Sequence, residues 1–225
     1  LALSWTMYTL DSDDRVPPNS GNDQSGYNPA RSRFYPNTWC AGWLDLPSTA
    51  DNTNILYLQR SHLWPYSQSL EIWRCPADNS IDARTKQARV RSMAMNNWLN
   101  PAGTAWNGQT RFTLIRKTSD MLNPSPSQNW ILLDEREDSI NDGFFVVDMT
   151  GYPNSPNGVI LVDFPAAYHN NAGGINFADG HAEIKKWLDH RTVPKLRKGQ
   201  HLALNIPSPN NKDIIWLQQR TTSPR

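Results

Sequence analysis

The sequence predicts an α+β chain with an antiparallel sheet, and three observations carry that prediction. A tight Asp179-Gly180 turn sits between two short strand-like runs, Ile175–Ala178 and His181–Trp187. Other short strand-like runs recur along the chain without the regular helix–strand alternation of a parallel βαβ fold. Helical periodicity is confined to the start, one early segment and the tail. With 12 Gly, 17 Pro and 38% apolar residues among 225, much of the chain must be loop and turn. It is still long enough to bury a substantial core.

Taken in order, Leu3, Met7 and Leu10 fall at i, i+4 and i+7 and place one apolar stripe on an opening helix. Asp11–Thr38 is polar and holds Pro17-Pro18 and Asn28-Pro29, so it reads as an extended surface loop anchored by Tyr27, Phe34, Tyr35 and Trp39. Thr53–Trp64, behind the cap candidates Asp51 and Asn52, reads as a helix of two to three turns stopped by Pro65. Strands are expected at Leu70–Arg74, Val90–Asn96, Arg111–Ile115, Trp130–Asp134, Phe144–Met149 and Val159–Val162. The Asp179-Gly180 hairpin follows, with a type I′ turn as the expectation, because Asp-Gly tolerates positive φ at both central positions. On its second strand Ala182, Ile184 and Lys186 should face one way and His181, Glu183, Lys185 and Trp187 the other. Asn211–Arg220, with Ile214, Ile215 and Leu217 near one face and Trp216 beside them, reads as a closing helix. There is no internal repeat, and the Pro-rich breaks are too short for domain linkers, so a single globular domain is expected.

Charge narrows the function classes. Lys and Arg total 22 against 21 Asp and Glu, a net charge of +1, which supplies no electrostatic footprint for nucleic acid. The short cluster of Lys185, Lys186, Lys195, Arg197 and Lys198 reads as a solvated face. No apolar run approaches the ~20 residues of a membrane-spanning helix.

The strongest chemical candidate is Asp134–Gly143, with five carboxylates in nine positions. Clustered carboxylates need a cation, an arginine or solvent. One resolution is calcium held by Asp134, Glu135, Asp138 and Asp142, since that ion takes oxygen ligands, although the spacing is not an EF-hand. The other is a capped turn, with Asp138 as N-cap, Arg136 as an internal counter-ion and Asp142-Gly143 turning into Phe144. His169 and Asp179, on adjacent strands, could hydrogen-bond as a structural lock. A further reading makes His169 a metal ligand with Asp134 and Asp179. Neither Ser139 nor Ser155 lies in a nucleophile-elbow context. The ten Trp residues serve either to fasten loops to a small sheet or, as an exposed row, to stack on sugar rings.

Several of these stretches also resemble a known family. His169, nine intervening residues and Asp179-Gly180 are similar to the H-x9-DG signature of a bacterial family related to type II secretion pseudopilins. Trp73-Arg74-Cys75-Pro76-Ala77-Asp78 resembles that family's mid-domain CPAD segment, and Leu133–Phe145 its acidic segment. Leu1–Asp14 followed by Arg15–Asn19 looks like the end of its prepilin helix and the loop after it. The resemblance runs from residue 1 to about 195; the cleavage motif and most of the apolar helix are not in this sequence. It implies that residues 1–13 close a prepilin-type helix and residues 14–225 form one pseudopilin-like domain. It further implies a non-enzymatic fibre subunit of a type II secretion or type IV pilus-like system, periplasmic or at the cell surface. The partners would be other pseudopilin subunits or secretion components, with membrane attachment only through the absent helix and His169, Asp179 and Gly180 as signature residues. In an exported domain Cys40 and Cys75 either form a disulfide or remain two buried thiols. The competing functions are a surface-displayed carbohydrate-binding module using Trp-rich loops and a carboxylate-based glycoside hydrolase.

Overall fold

The computed structural model describes residues 1–20, 38–101 and 106–225. Tyr27, Phe34 and Tyr35, expected as loop anchors, lie outside them. The fold is α+β: a short N-terminal helix, α1 (Ala2–Asp11), precedes a loop-rich domain built on a five-stranded sheet. The run Trp130–Asp134, apolar up to its last residue, forms its central strand, β2. The sheet order is β3 (Phe144–Phe145), β1 (Met93–Asn96), β2, β5 (Ala172–Phe177), β6 (Ala182–Lys186). β2 pairs antiparallel with β1 and β5, and β5 with β6, but β1 and β3 run parallel, so the expected antiparallel sheet is mixed. The acidic segment after β2 reverses the chain. β3 therefore runs against β2 and with β1, on whose outer edge it lands through Met95 N–H to Gly143 O at 2.8 Å and Asn97 N–H to Phe145 O at 3.0 Å.

Every residue of β2 is buried because both faces of the sheet are covered. On one face Trp98, Trp130, Leu133, Phe145, Ile175 and Phe177 pack with Ile214 and Leu217. The last two belong to the closing helix, α4 (Lys212–Gln218), where the Asn211 side chain accepts from the amides of Asp213 and Ile214. On the other face Met95, Ile131 and Leu132 meet Trp5 of α1, Trp39 and Trp73. The Trp39 and Trp73 rings stack with centroids 5.5 Å apart. Consecutive Ile131 and Leu132 share a face because the β2–β5 register shifts between Trp130 and Leu132. One extra residue in a strand inverts the face of everything after it. Asp134, paired with Met93, consequently projects to the Trp73 side of the sheet.

Elsewhere the chain departs from expectation for local reasons. Residues 50–67 form a 3-10 turn (Ala50–Thr53) and two one-turn helices, α2 (Leu56–Gln59) and α3 (Trp64–Ser67). Pro65 opens α3 instead of stopping a helix, since the first turn needs no proline N–H. Glu71–Trp73 is a 3-10 turn and not a strand. Phe112 and Ile115 make only isolated bridges, to Pro224 and Leu99. Strands β4 (Ile160–Leu161) and β7 (Ile206–Pro207) pair in a separate small sheet. In the hairpin only Gly180 has positive φ, +95°, with Gly180 N–H bonded to Phe177 O at 3.0 Å. The turn is therefore a three-residue loop with glycine in the left-handed position, in place of the type I′ turn. The faces of β6 follow the expected alternation at its end: Trp187 is buried while Ile184 is exposed on the edge strand.

Helix α1 lies on the domain through Trp5, Ser4 and Thr9, all buried. Tyr8 packs edge-on against Tyr66 of α3, whose hydroxyl donates to Asp11 at 3.1 Å. The stripe of Leu3, Met7 and Leu10 is not the packed face. It points outward, with 72%, 40% and 73% of each residue exposed.

Candidate functional site

Three stretches far apart in sequence meet at one end of the sheet. Cys75 opens a tight turn, Asp78 N–H to Cys75 O at 2.9 Å, and its own amide donates to Ser92 Oγ at 2.9 Å just before β1. Asp134 is the last residue of β2. Beside it, Ala166 N–H bonds to Asp134 O at 2.7 Å, and the chain continues from there to His169. His169 N–H bonds Ala172 O across Asn170 and Asn171, both at positive φ, which turns the chain into β5. Gly173 is required where it stands: a Cβ there would collide with Ala166 O, in the segment that carries His169.

The result is a compact group. One ligand atom each from Cys75, Asp134 and His169 lies within 4.8 Å of the others, the only such group of metal-ligating side chains among the described residues. Cys75 Sγ and His169 Nε2 are 3.2 Å apart. His169 is exposed, Cys75 half-buried and Asp134 buried, so the group has a solvent side and a protein side. Neither carboxylate oxygen of Asp134 makes a hydrogen bond of ordinary geometry, although both are buried. Burial pushes the carboxyl up to about 6, with the charge of Asp78 adding to it, while nearby Ser92 and Cys75 pull the other way. Burial and the Asp134 charge raise the Cys75 thiol.

That electrostatic setting argues against a nucleophile. A reactive cysteine needs its thiolate favoured, and a neighbouring carboxylate does the opposite. A catalytic Cys–His–Asp relay also places the acid behind the imidazole. Here the acid sits beside the sulfur. The three groups converge on a point instead of forming a line.

The remaining sequence candidates are placed elsewhere. Asp138 is bound by both arms of Arg136, at 2.5 and 3.0 Å, and accepts Arg197 N–H at 2.7 Å. Glu135 accepts from Ser139 Oγ at 2.7 Å, and Asp142 caps Phe144 N–H at 2.8 Å. Asp134, Glu135, Asp138 and Asp142 thus do not converge on a common cation. Asp179 pairs with His181 at 2.6 Å on the exposed turn, not with His169. The two halves of the H-x9-DG stretch sit at opposite ends of β5, whose six residues rise roughly 20 Å. Asp179 therefore drops out of the ligand set considered with His169 and Asp134, and Cys75 takes its place. Cys40 and Cys75 are both unbonded, Cys40 buried beside Trp39 and Cys75 beside His169, so the disulfide alternative is corrected to two thiols. Cys75 as a partner of His169 was missed from sequence; its only signal was its position in the CPAD turn. No protein-family model, curated protein or solved structure matches the chain.

Proposed function

We propose that the protein is a non-enzymatic, pseudopilin-like structural subunit that joins a fibre through α1. The observation that carries this reading is the outward stripe Leu3, Met7 and Leu10 on a helix whose other face is already fixed to the domain. A helix that is apolar on both sides suits burial between two partners. Covering such side chains is worth roughly 1.5–3 kcal/mol each. In a pseudopilin-type fibre the second partner is the helix of a neighbouring subunit, and the globular domain coats the outside. The sheet, Trp-fastened loops and α4 then act as a rigid body behind the helix, at the periplasmic or cell-surface location such a fibre implies. No helix among the described residues is long and apolar enough to cross a membrane.

The competing readings find less support. A sugar-binding row needs exposed Trp, and none of the ten is exposed: six are buried and the other four half-buried. A glycosidase needs two carboxylates facing a cleft, and Asp138, Glu135 and Asp142 are engaged within the protein.

A photo-crosslinking amino acid placed at Leu3, Met7 or Leu10 of the full-length protein in its native cells tests the proposal. A ladder of homotypic or pseudopilin adducts is expected at all three positions, and Leu3→Glu with Leu10→Glu should abolish it. Protein that remains monomeric at all three positions overturns the reading.

A further inference from the structure

We propose that Cys75, Asp134 and His169 bind a divalent transition metal, zinc, through three protein ligands, with the fourth position open to water. This inference stands independently of the fibre reading.

Two observations carry it. The first is convergence: thiol, carboxylate and imidazole come from a turn, a strand end and a loop, yet lie within 4.8 Å of one another. Around a tetrahedral zinc with bonds of about 2.3 Å to sulfur and 2.0 Å to nitrogen, the two ligand atoms stand about 3.5 Å apart. The 3.2 Å between Cys75 Sγ and His169 Nε2 needs only a few tenths of an ångström of widening, and exposed His169 can supply it. The second is Asp134, 3% exposed, with neither oxygen in a hydrogen bond of ordinary geometry and Cys75 and Ser92 beside it. A buried polar group left unsatisfied costs about 1–3 kcal/mol, more when charged. A cation at the convergence point would relieve that cost.

The ligand chemistry selects the ion. Sulfur and imidazole nitrogen suit zinc and its neighbours in the first transition row, whereas calcium and magnesium take oxygen. Three ligands with one open position is the arrangement of an accessible zinc, not of a closed structural one. The surrounding structure fixes the ligands in advance. Ser92 Oγ holds the Cys75 amide, the shifted register of β2 aims Asp134, and Gly173 lets the segment after Ala166 bring His169 in. Binding would replace the Cys75 proton, so affinity should rise with pH and protons should be released. The ion would tie the open end of the β5–β6 hairpin to the turn after Trp73.

The test uses the purified 225-residue chain after chelation. Zinc is titrated by calorimetry, and cobalt by absorbance, where a thiolate-to-cobalt charge-transfer band reports a sulfur ligand. One equivalent of zinc, a cobalt–thiolate band and a rise in melting temperature are expected. Cys75→Ser should abolish the band and Cys40→Ser should leave it unchanged. Asp134→Asn and exposed His169→Gln should each weaken zinc by more than the roughly 10–100-fold that even outer partners of a metal ligand command. His169→Gln opens no cavity, so its result does not depend on whether the core variants fold. Absence of the band, or zinc affinity unchanged in both Cys75→Ser and His169→Gln, overturns the proposal.

Discussion

Asp134 and Asp138 stand four positions apart in the same acidic stretch, and both are buried, yet their surroundings are opposite. Asp138 is enclosed by donors: the guanidinium of Arg136 grips both oxygens and the Arg197 amide adds a third bond. Arg136 is completed in turn by Pro194 O at 2.9 Å. Asp134 has no such partner, and burial holds its carboxyl at about 6. Burial alone therefore says little about a carboxylate. The difference lies in whether the fold has already spent the group's lone pairs. A fully satisfied acid is part of the scaffold, and an unsatisfied one is available to a ligand.

Removing Asp138 should therefore be the most damaging change to the acidic stretch. Asp138→Ala leaves Arg136, itself 3% exposed, as a buried charge without its counter-ion. Breaking a buried pair from one side costs about 3–5 kcal/mol. Urea denaturation should show a loss of that size, and a loss below about 1 kcal/mol would mean the pair behaves like a surface one.

A second change tests whether the site around Asp134 depends on backbone geometry. Gly173→Ala forces Ala166 O away from β5, and with it the segment that carries His169. Overpacking of this kind costs about 1–3 kcal/mol. The expected result is a lower denaturation midpoint together with a broadened His169 imidazole resonance in proton NMR. Wild-type stability in Gly173→Ala would show that the hairpin can slide past Ala166 without strain.

The sequence made some of this legible. Trp130–Asp134 was readable as a strand because four apolar residues precede its terminal Asp134, and the hairpin because Asp-Gly separates two short runs. The closing helix was readable from the spacing of Ile214, Ile215 and Leu217. What local pattern cannot carry is parity and long-range pairing. The register shift at Trp130–Leu132 leaves no mark in composition, yet it decides which face Asp134 occupies. The same holds for His169. Adjacent-strand logic paired it with Asp179, but β5 separates the two along its whole length, and Cys75, 94 positions away, is its neighbour. Arg136 as a counter-ion within the acidic stretch was visible in advance because it is local, whereas Asp138, expected as an N-cap, is instead its partner and accepts from the distant Arg197 amide. Glycine at 173 was visible only as a residue type; its reason, a backbone oxygen from seven residues earlier, was not.

The smallest expected effect concerns a third kind of buried acid, shared between two carboxyls. Asp163 and Glu135 are both buried. Burial raises both carboxyls above their ordinary range; for Glu135 the Asp163 charge comes next, and for Asp163 the Val146 amide partly offsets the rise. A carboxyl whose folded value lies above its unfolded value stabilises the fold fully below the unfolded value, near pH 4, and that contribution is lost as pH rises through the folded value. The wild type should therefore weaken progressively from about pH 5 upward on account of this pair. Asp163→Asn keeps an oxygen for the Val146 amide, which now reaches Asp163 Oδ2 at 2.6 Å, and removes one of the two charges. The slope from one proton is capped at about 1.4 kcal/mol per pH unit, and relaxation around the ionised pair absorbs part of it. The variant should match the wild type at pH 5 and exceed it by about 1 kcal/mol at pH 8, read as melting temperature at the two values. An Asp163→Asn variant that is less stable at pH 8 than at pH 5 by as much as the wild type would place the pH dependence elsewhere, and would leave Asp163 satisfied in the manner of Asp138.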